Sequence, residues 1–192
     1  MPARTGERRL QILQTLAEML EAPSPEKITT AALAGRLDVS EAALYRHFAS
    51  KAQMFEGLIE FIEQTVFSLI NKIAAEEPAG LKQVDAMISV LLAFARKNRG
   101  MTRVLIGEAL VHENARLQAR INQLHDRIEA TLRQALRLAQ TQGELPADAQ
   151  IAAQANAITA FVAGRWHQFA KSGFTRDPSQ YWSEQRRILL AT

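Results

Sequence analysis

Between Ser40 and Lys51 the chain reads SEAALYRHFASK, and its polar members suit one kind of chemistry. Tyr45, Arg46, His47 and Lys51 are donors or cations, the groups that bind anionic oxygens. Ser40 carries a hydroxyl suited to capping a helix, and Glu41 places a carboxylate in the first turn, where the macrodipole favours it. Ala42 and Ala43 are small enough to let a helix approach base edges and touch thymine methyls. Leu44 and Phe48, four apart, form a core-facing pair. Thr29 and Thr30 add two hydroxyls at the start of the preceding helix. Such a surface meets phosphates along its edges and bases at its centre.

A second group lies further on. Phe61 stands well away from the centre of the apolar stripe of its helix, between Glu60 and Glu63. It reads either as a flank residue covered by the next helix or as an exposed aromatic anchor for a partner. Arg96, Lys97, Asn98, Arg99 and Gly100 follow at a helix end. Basic residues and a glycine stop are adequate there by themselves, yet the cations also suit an acidic, extended peptide. Enzymatic chemistry finds no support. His47, His112, His125 and His167 show no metalloprotease spacing, and there is no glycine-rich phosphate loop or serine elbow. No catalytic residue, metal ligand or cofactor is expected.

The elements that must position these residues are helices, because apolar residues recur at three and four throughout. Leu10, Leu13, Leu16, Ala17 and Leu20 make a first stripe, closed by APSP at 22–25. Helices are predicted at about 30–37 and 40–46, broken by LDVS. Ser50 can cap a long fourth helix bearing Phe55, Leu58, Ile59, Ile62, Val66, Leu69 and Ile73. A fifth, about 81–97, is apolar nearly all round, as suits an element buried on most sides. Further helices are expected from about 101, then at 113–141, 147–171 and 178–190. The 116–137 arginines read as a solvated face. Trp166, Phe169, Phe174, Tyr181 and Trp182 read as core or as a dimer interface.

Composition bounds the rest. The chain has 192 residues, 47 % of them hydrophobic, no cysteine and a net charge of +3. It can build a sizeable core without disulfides. No apolar run is long enough for a membrane span, and no secretory signal is visible, which fits a cytoplasmic setting. Charge is patchy: residues 52–95 carry six acids against two lysines, while Arg96, Lys97, Arg99 and Arg103 cluster behind them, and Arg4, Arg8 and Arg9 stand near the start. Two short helices joined by a tight turn, preceded by a third, form the helix-turn-helix pattern, with the second short helix entering the major groove.

The run TTAALAGRLDVSEAALYRHFASKAQMF resembles the DNA-binding half of the TetR family of regulators. The matching positions are Thr30, Leu33-Ala34, Val39-Ser40, Leu44-Tyr45, His47-Phe48 and Lys51. Asp38 stands where glycine is usual in the turn, and Ala42 where glycine is frequent. The resemblance extends over most of the chain to the nucleoid-occlusion branch of the family. It implies an all-α, TetR-type homodimer. Residues 1–51 form a three-helix helix-turn-helix DNA-binding domain, and residues 52–192 a helical body for dimerisation and partner binding. The implied DNA-binding residues are Thr29, Thr30, Ser40, Glu41, Ala42, Tyr45, Arg46, His47 and Lys51. The implied partners are palindromic duplex sites and the C-terminal tail of the division protein FtsZ, received near Phe61, Arg96, Lys97 and Asn98. Lys97 keeps the charge of the arginine usual there but not its bidentate geometry. The localisation implied is nucleoid-associated. A ligand-responsive repressor of the same family is the alternative.

Overall fold

A computed structural model describes residues 5–22 and 28–190. Arg4 and the greater part of the stop expected at 22–25 lie outside the described residues. Within them the chain is all-α and contains no strand. The helices are α1 (Thr5–Met19), α2 (Thr30–Arg36), α3 (Glu41–Tyr45), α4 (Lys51–Glu76), α5 (Gly80–Lys97), α6 (Arg99–Leu105), α7 (Ala115–Thr141), α8 (Ile151–Lys171) and α9 (Trp182–Leu190), with a 3-10 turn at Glu108–Leu110. No described helix is long and apolar enough to cross a membrane.

Two compact units result. The first holds residues up to Ile62 together with Asn98–Ile121, and the second holds Glu63–Lys97 with Asn122–Thr192. In the first, Ile12, Leu16, Leu33, Leu44, Phe48, Phe55, Leu58 and Ile62 are buried. Leu10, expected in the stripe of α1, is 44 % exposed, and Ile12 takes the inward position. Helix α6 presses on α1: a Cβ on Gly100 would stand 1.9 Å from the Ala17 carbonyl oxygen. Arg103, which the sequence groups with surface cations, is 2 % exposed. Its guanidinium donates to Glu108 at 3.2 Å and to the Ala22 carbonyl at 2.9 Å, so its charge is compensated where water cannot reach.

In the second unit Val66, Phe67 and Ile70 of α4 are buried with Met87, Ile88, Leu91 and Trp166. Leu69, expected on the inward face, is 40 % exposed, and Ile73 is half-buried. Both sides of this part of α4 are apolar, so spacing alone cannot choose between them. Arg127 stacks 3.7 Å over the Phe67 ring rather than lying free on the surface. Just before helix α5 the Glu77 side chain accepts from the Ala79 N–H at 3.0 Å. The first N–H groups of α5 are met from the end of α7, Gly80 donating to Gln142 at 2.8 Å and Leu81 to Glu144 at 2.9 Å. Helix α9 begins four residues later than expected. Arg165 takes the carbonyls of Asp177, Pro178 and Gln180, and Tyr181 lies at φ 67°, so the segment before Trp182 cannot be helical.

Candidate nucleic-acid interface

The helix-turn-helix is built by caps more than by length, since α2 and α3 have only seven and five residues and helices so short do not persist alone. Thr29 Oγ1 accepts from the Ala32 N–H at 3.1 Å, and Ser40 Oγ from Ala43 at 3.3 Å. Ser50 Oγ accepts from Gln53 at 3.2 Å, while Gln53 Oε1 accepts from Ala49 at 2.9 Å. Between α2 and α3 the chain closes a Schellman motif. Val39 N–H donates to the Ala34 carbonyl at 3.0 Å and Asp38 N–H to Gly35 at 3.2 Å, with Asp38 at φ 52°. Aspartate visits this left-handed conformation more readily than most residues, so the turn forms without its usual glycine. Leu33, Leu44 and Phe48 are each 1 % exposed and fix both helices to the core. Ser40→Ala is expected to cost about 1 kcal/mol in urea unfolding; no loss would mean that Leu44 and Phe48 alone hold α3.

This packing leaves Ser40, Glu41, Ala42, Tyr45 and Arg46 exposed on α3 and its ends. Three of the expected site residues meet on one side. Thr30 Oγ1 donates to Glu41 Oε2 at 2.5 Å, and Tyr45 OH donates to Thr30 Oγ1 at 3.4 Å. Thr29 is exposed beside them, its hydroxyl engaged in the cap. On the other side lie Arg46 and His47, with α1 alongside. Arg9, counted in the sequence only as part of a basic arm, stacks 4.1 Å over Phe48 and donates to the His47 carbonyl. Lys51 is not a free cation: its ammonium pairs with Glu113. Nothing in the spacing announced that partner, 62 residues away. Arg116 also turns inward, binding Glu56 at 2.8 Å.

The second expected group is divided between the units. Phe61 and Asn98 belong to the first. Phe61 is 36 % exposed, and the Asn98 carbonyl accepts from the Thr102 N–H at 2.9 Å. Arg96 and Lys97 belong to the second, both exposed, with Arg96 3.4 Å from Asp177. Among the described residues no group of histidine and carboxylate side chains could hold a metal ion.

Residues 12–58 match the bacterial regulatory proteins of the tetR family, and residues 79–192 match the tetracyclin repressor-like C-terminal domain of SlmA-like type. The nucleoid occlusion factor SlmA of Alteromonas mediterranea is 50 % identical over 96 % of this chain and 95 % of its own. That of Aliivibrio fischeri is 46 % identical over 98 % and 96 %. Among solved structures, the fatty acid degradation regulator FadR of Bacillus halodurans superposes with a TM-score of 0.80 at 14 % identity, covering 98 % of this chain and 97 % of its own; that likeness concerns the fold. With the capped helix-turn-helix at one end and a SlmA-like body at the other, the chain belongs to the TetR family of DNA-binding regulators, in its SlmA branch.

Proposed function

We propose that this protein is a nucleoid occlusion factor: a homodimer that binds palindromic duplex DNA and, while bound, inhibits division by engaging the C-terminal tail of FtsZ. The observation that carries this reading is the likeness, along nearly the whole chain, to relatives named for nucleoid occlusion, joined to an exposed α3 face flanked by hydroxyls and cations. Residues 1–51 contact DNA; residues 52–192 supply dimerisation and partner binding. Ser40, Glu41 and Ala42 face bases. Thr29, Thr30, Tyr45, Arg46, His47 and Lys51 face phosphates, contacts that set register rather than sequence preference.

A second copy of the chain has a suitable surface. Ala153, Ala157, Ala160 and Gly164 are exposed along α8 at spacings of four, three and four, and Ile188 of α9 is 82 % exposed. Small residues at this spacing let a partner helix pack closely, and an exposed isoleucine contributes only when covered. Phe61, Arg96, Lys97 and Asn98 are assigned to the FtsZ tail: an exposed aromatic ring for anchoring, cations for an acidic peptide, and an amide for its backbone. The location that follows is the nucleoid, within the cytoplasm.

The test is fluorescence anisotropy of a labelled FtsZ C-terminal tail peptide, with the protein alone and on a palindromic duplex. Saturable binding supports the reading, and any gain on adding DNA measures the coupling between sites. No binding in either state, with DNA binding intact, would favour a ligand-responsive repressor instead. Separately, Lys51→Ala is expected to weaken binding to all duplexes alike and to lower the slope of log K against log salt by about one. An unchanged slope would leave Lys51 with Glu113 and remove it from the interface.

A further inference from the structure

The interface as assigned meets one wall of a groove with Thr29, Thr30 and Tyr45, and the other with Arg46 and His47. Helical geometry turns about 100° per residue. With Ala42 taken as the outermost residue of α3, Tyr45 falls roughly 60° and Glu41 roughly 100° to one side, while Leu44 points back to the core. Thr30 joins Tyr45 and Glu41 on that side by hydrogen bonds. On the opposite side fall Arg46 and Ala43, and the chain continues there into His47. A major groove is about 12 Å wide and is bounded by two sugar-phosphate backbones. A helix lying in it meets both.

On this opposite side a depression of about 180 Å³ opens between α1 and α3. Its floor is apolar, formed by Ile12, Leu37 and Leu44, and its rim carries Arg8, Arg46 and His47. No carboxylate lines it; Glu7 and Asp38, the nearest acids in sequence, stand outside the lining. Arg8 is held on α1 by Gln11, to which it donates at 2.6 Å. The His47 Nδ1 is buried and makes no hydrogen bond. An apolar floor beneath a cationic rim suits a ligand with a carbon ring on one side and an anionic oxygen on the other. A deoxyribose-phosphate unit has that form, and a bare inorganic anion does not.

We propose that this depression seats a sugar-phosphate of the DNA strand opposite the one met by Thr30 and Tyr45, with Arg8 as the α1 cation of the seat. The proposal rests on the DNA-binding reading above and adds to it a residue from outside the helix-turn-helix. Arg8 would add to Arg46 and His47 a cation held by a different helix, so that α3 is fixed against rotation about its own axis.

The experiment is binding of the full chain to a labelled duplex across a salt series, comparing Arg8→Gln, Arg8→Lys and Lys51→Ala, with thermal melts to establish that each variant folds. Arg8→Gln should weaken binding on every sequence and lower the salt slope by about 0.9 for each seat engaged, whereas Arg8→Lys should keep the slope. If Arg8→Gln changes neither affinity nor slope while Lys51→Ala lowers the slope, the seat is wrong and the interface reading stands. If neither variant lowers the slope, the seat is wrong and Lys51, held by Glu113, leaves the interface as well. A calorimetric titration with deoxyadenosine monophosphate separates the remaining source of the same chemistry. Saturable binding that needs Arg8, with a DNA salt slope indifferent to Arg8, would give the depression to a free nucleotide and overturn its assignment to a strand.

Discussion

Trp166→Ala is expected to lower the unfolding free energy by about 3–5 kcal/mol, the largest loss from any single replacement considered. The indole is 2 % exposed, and its Nε1–H donates to the Leu91 carbonyl at 3.0 Å, tying α8 to α5. His125 of α7 lies 5.7 Å from it, ring centroid to ring centroid. Removing the ring leaves a cavity bordered by three helices and takes away a second hydrogen bond from a carbonyl that keeps its own within α5. For a chain of this length each kcal/mol shifts the melting midpoint by about 2–4 °C, so a fall of roughly 6–20 °C should be seen at fixed protein concentration. Trp166→Phe keeps most of the ring and should recover much of the loss. An alanine variant that melts within a degree or two of the parent would show that α5 and α8 are held by their other contacts.

Phe61→Ala comes next, and it acts on binding rather than folding. If the ring anchors the FtsZ tail, its loss should weaken the peptide by about 2 kcal/mol, roughly thirtyfold, as for an aromatic hot spot. DNA affinity and the thermal melt should hardly move, because Phe61 is 36 % exposed while Leu58, Ile59 and Ile62 around it are fully buried. A melt depressed by several degrees with unchanged peptide affinity would make Phe61 a packing residue and withdraw it from the partner surface.

Much of the fold was legible because the local signals agree. Thr29, Ser40 and Ser50 were readable as caps, and each one accepts the expected backbone N–H. The pairing of Glu129 with Arg133 at 2.6 Å follows directly from their i,i+4 spacing. What escaped the sequence was set by partners far along the chain. On α4, Phe67 and Ile70 turn inward in place of Leu69 and Ile73, a choice made by the helices packed against it. Burial of Arg103 depends on Glu108 and on the Ala22 carbonyl, a different element in each case. The engagement of Lys51 by Glu113 belongs to the same class. For the interface, residue types were legible and their sides were not. Thr30, Glu41 and Tyr45 come together only once the turn at Asp38 sets α2 against α3, and Arg8 reaches the depression only through the packing of α1.

The approach of α6 to α1 at Gly100 bears on how this chain can vary over time. The same holds within the second unit, where a Cβ on Gly80 would stand 2.2 Å from the Ala139 backbone nitrogen. Backbone cannot step aside as a flexible side chain can, so replacement at either position is barred by geometry alone. Gly6 and Gly35 have nothing within 4 Å of the space a Cβ would take and are free to drift. Invariance at Gly80 and Gly100 among descendants of this chain would thus record how closely helices lie, and would carry no information about what the protein recognises.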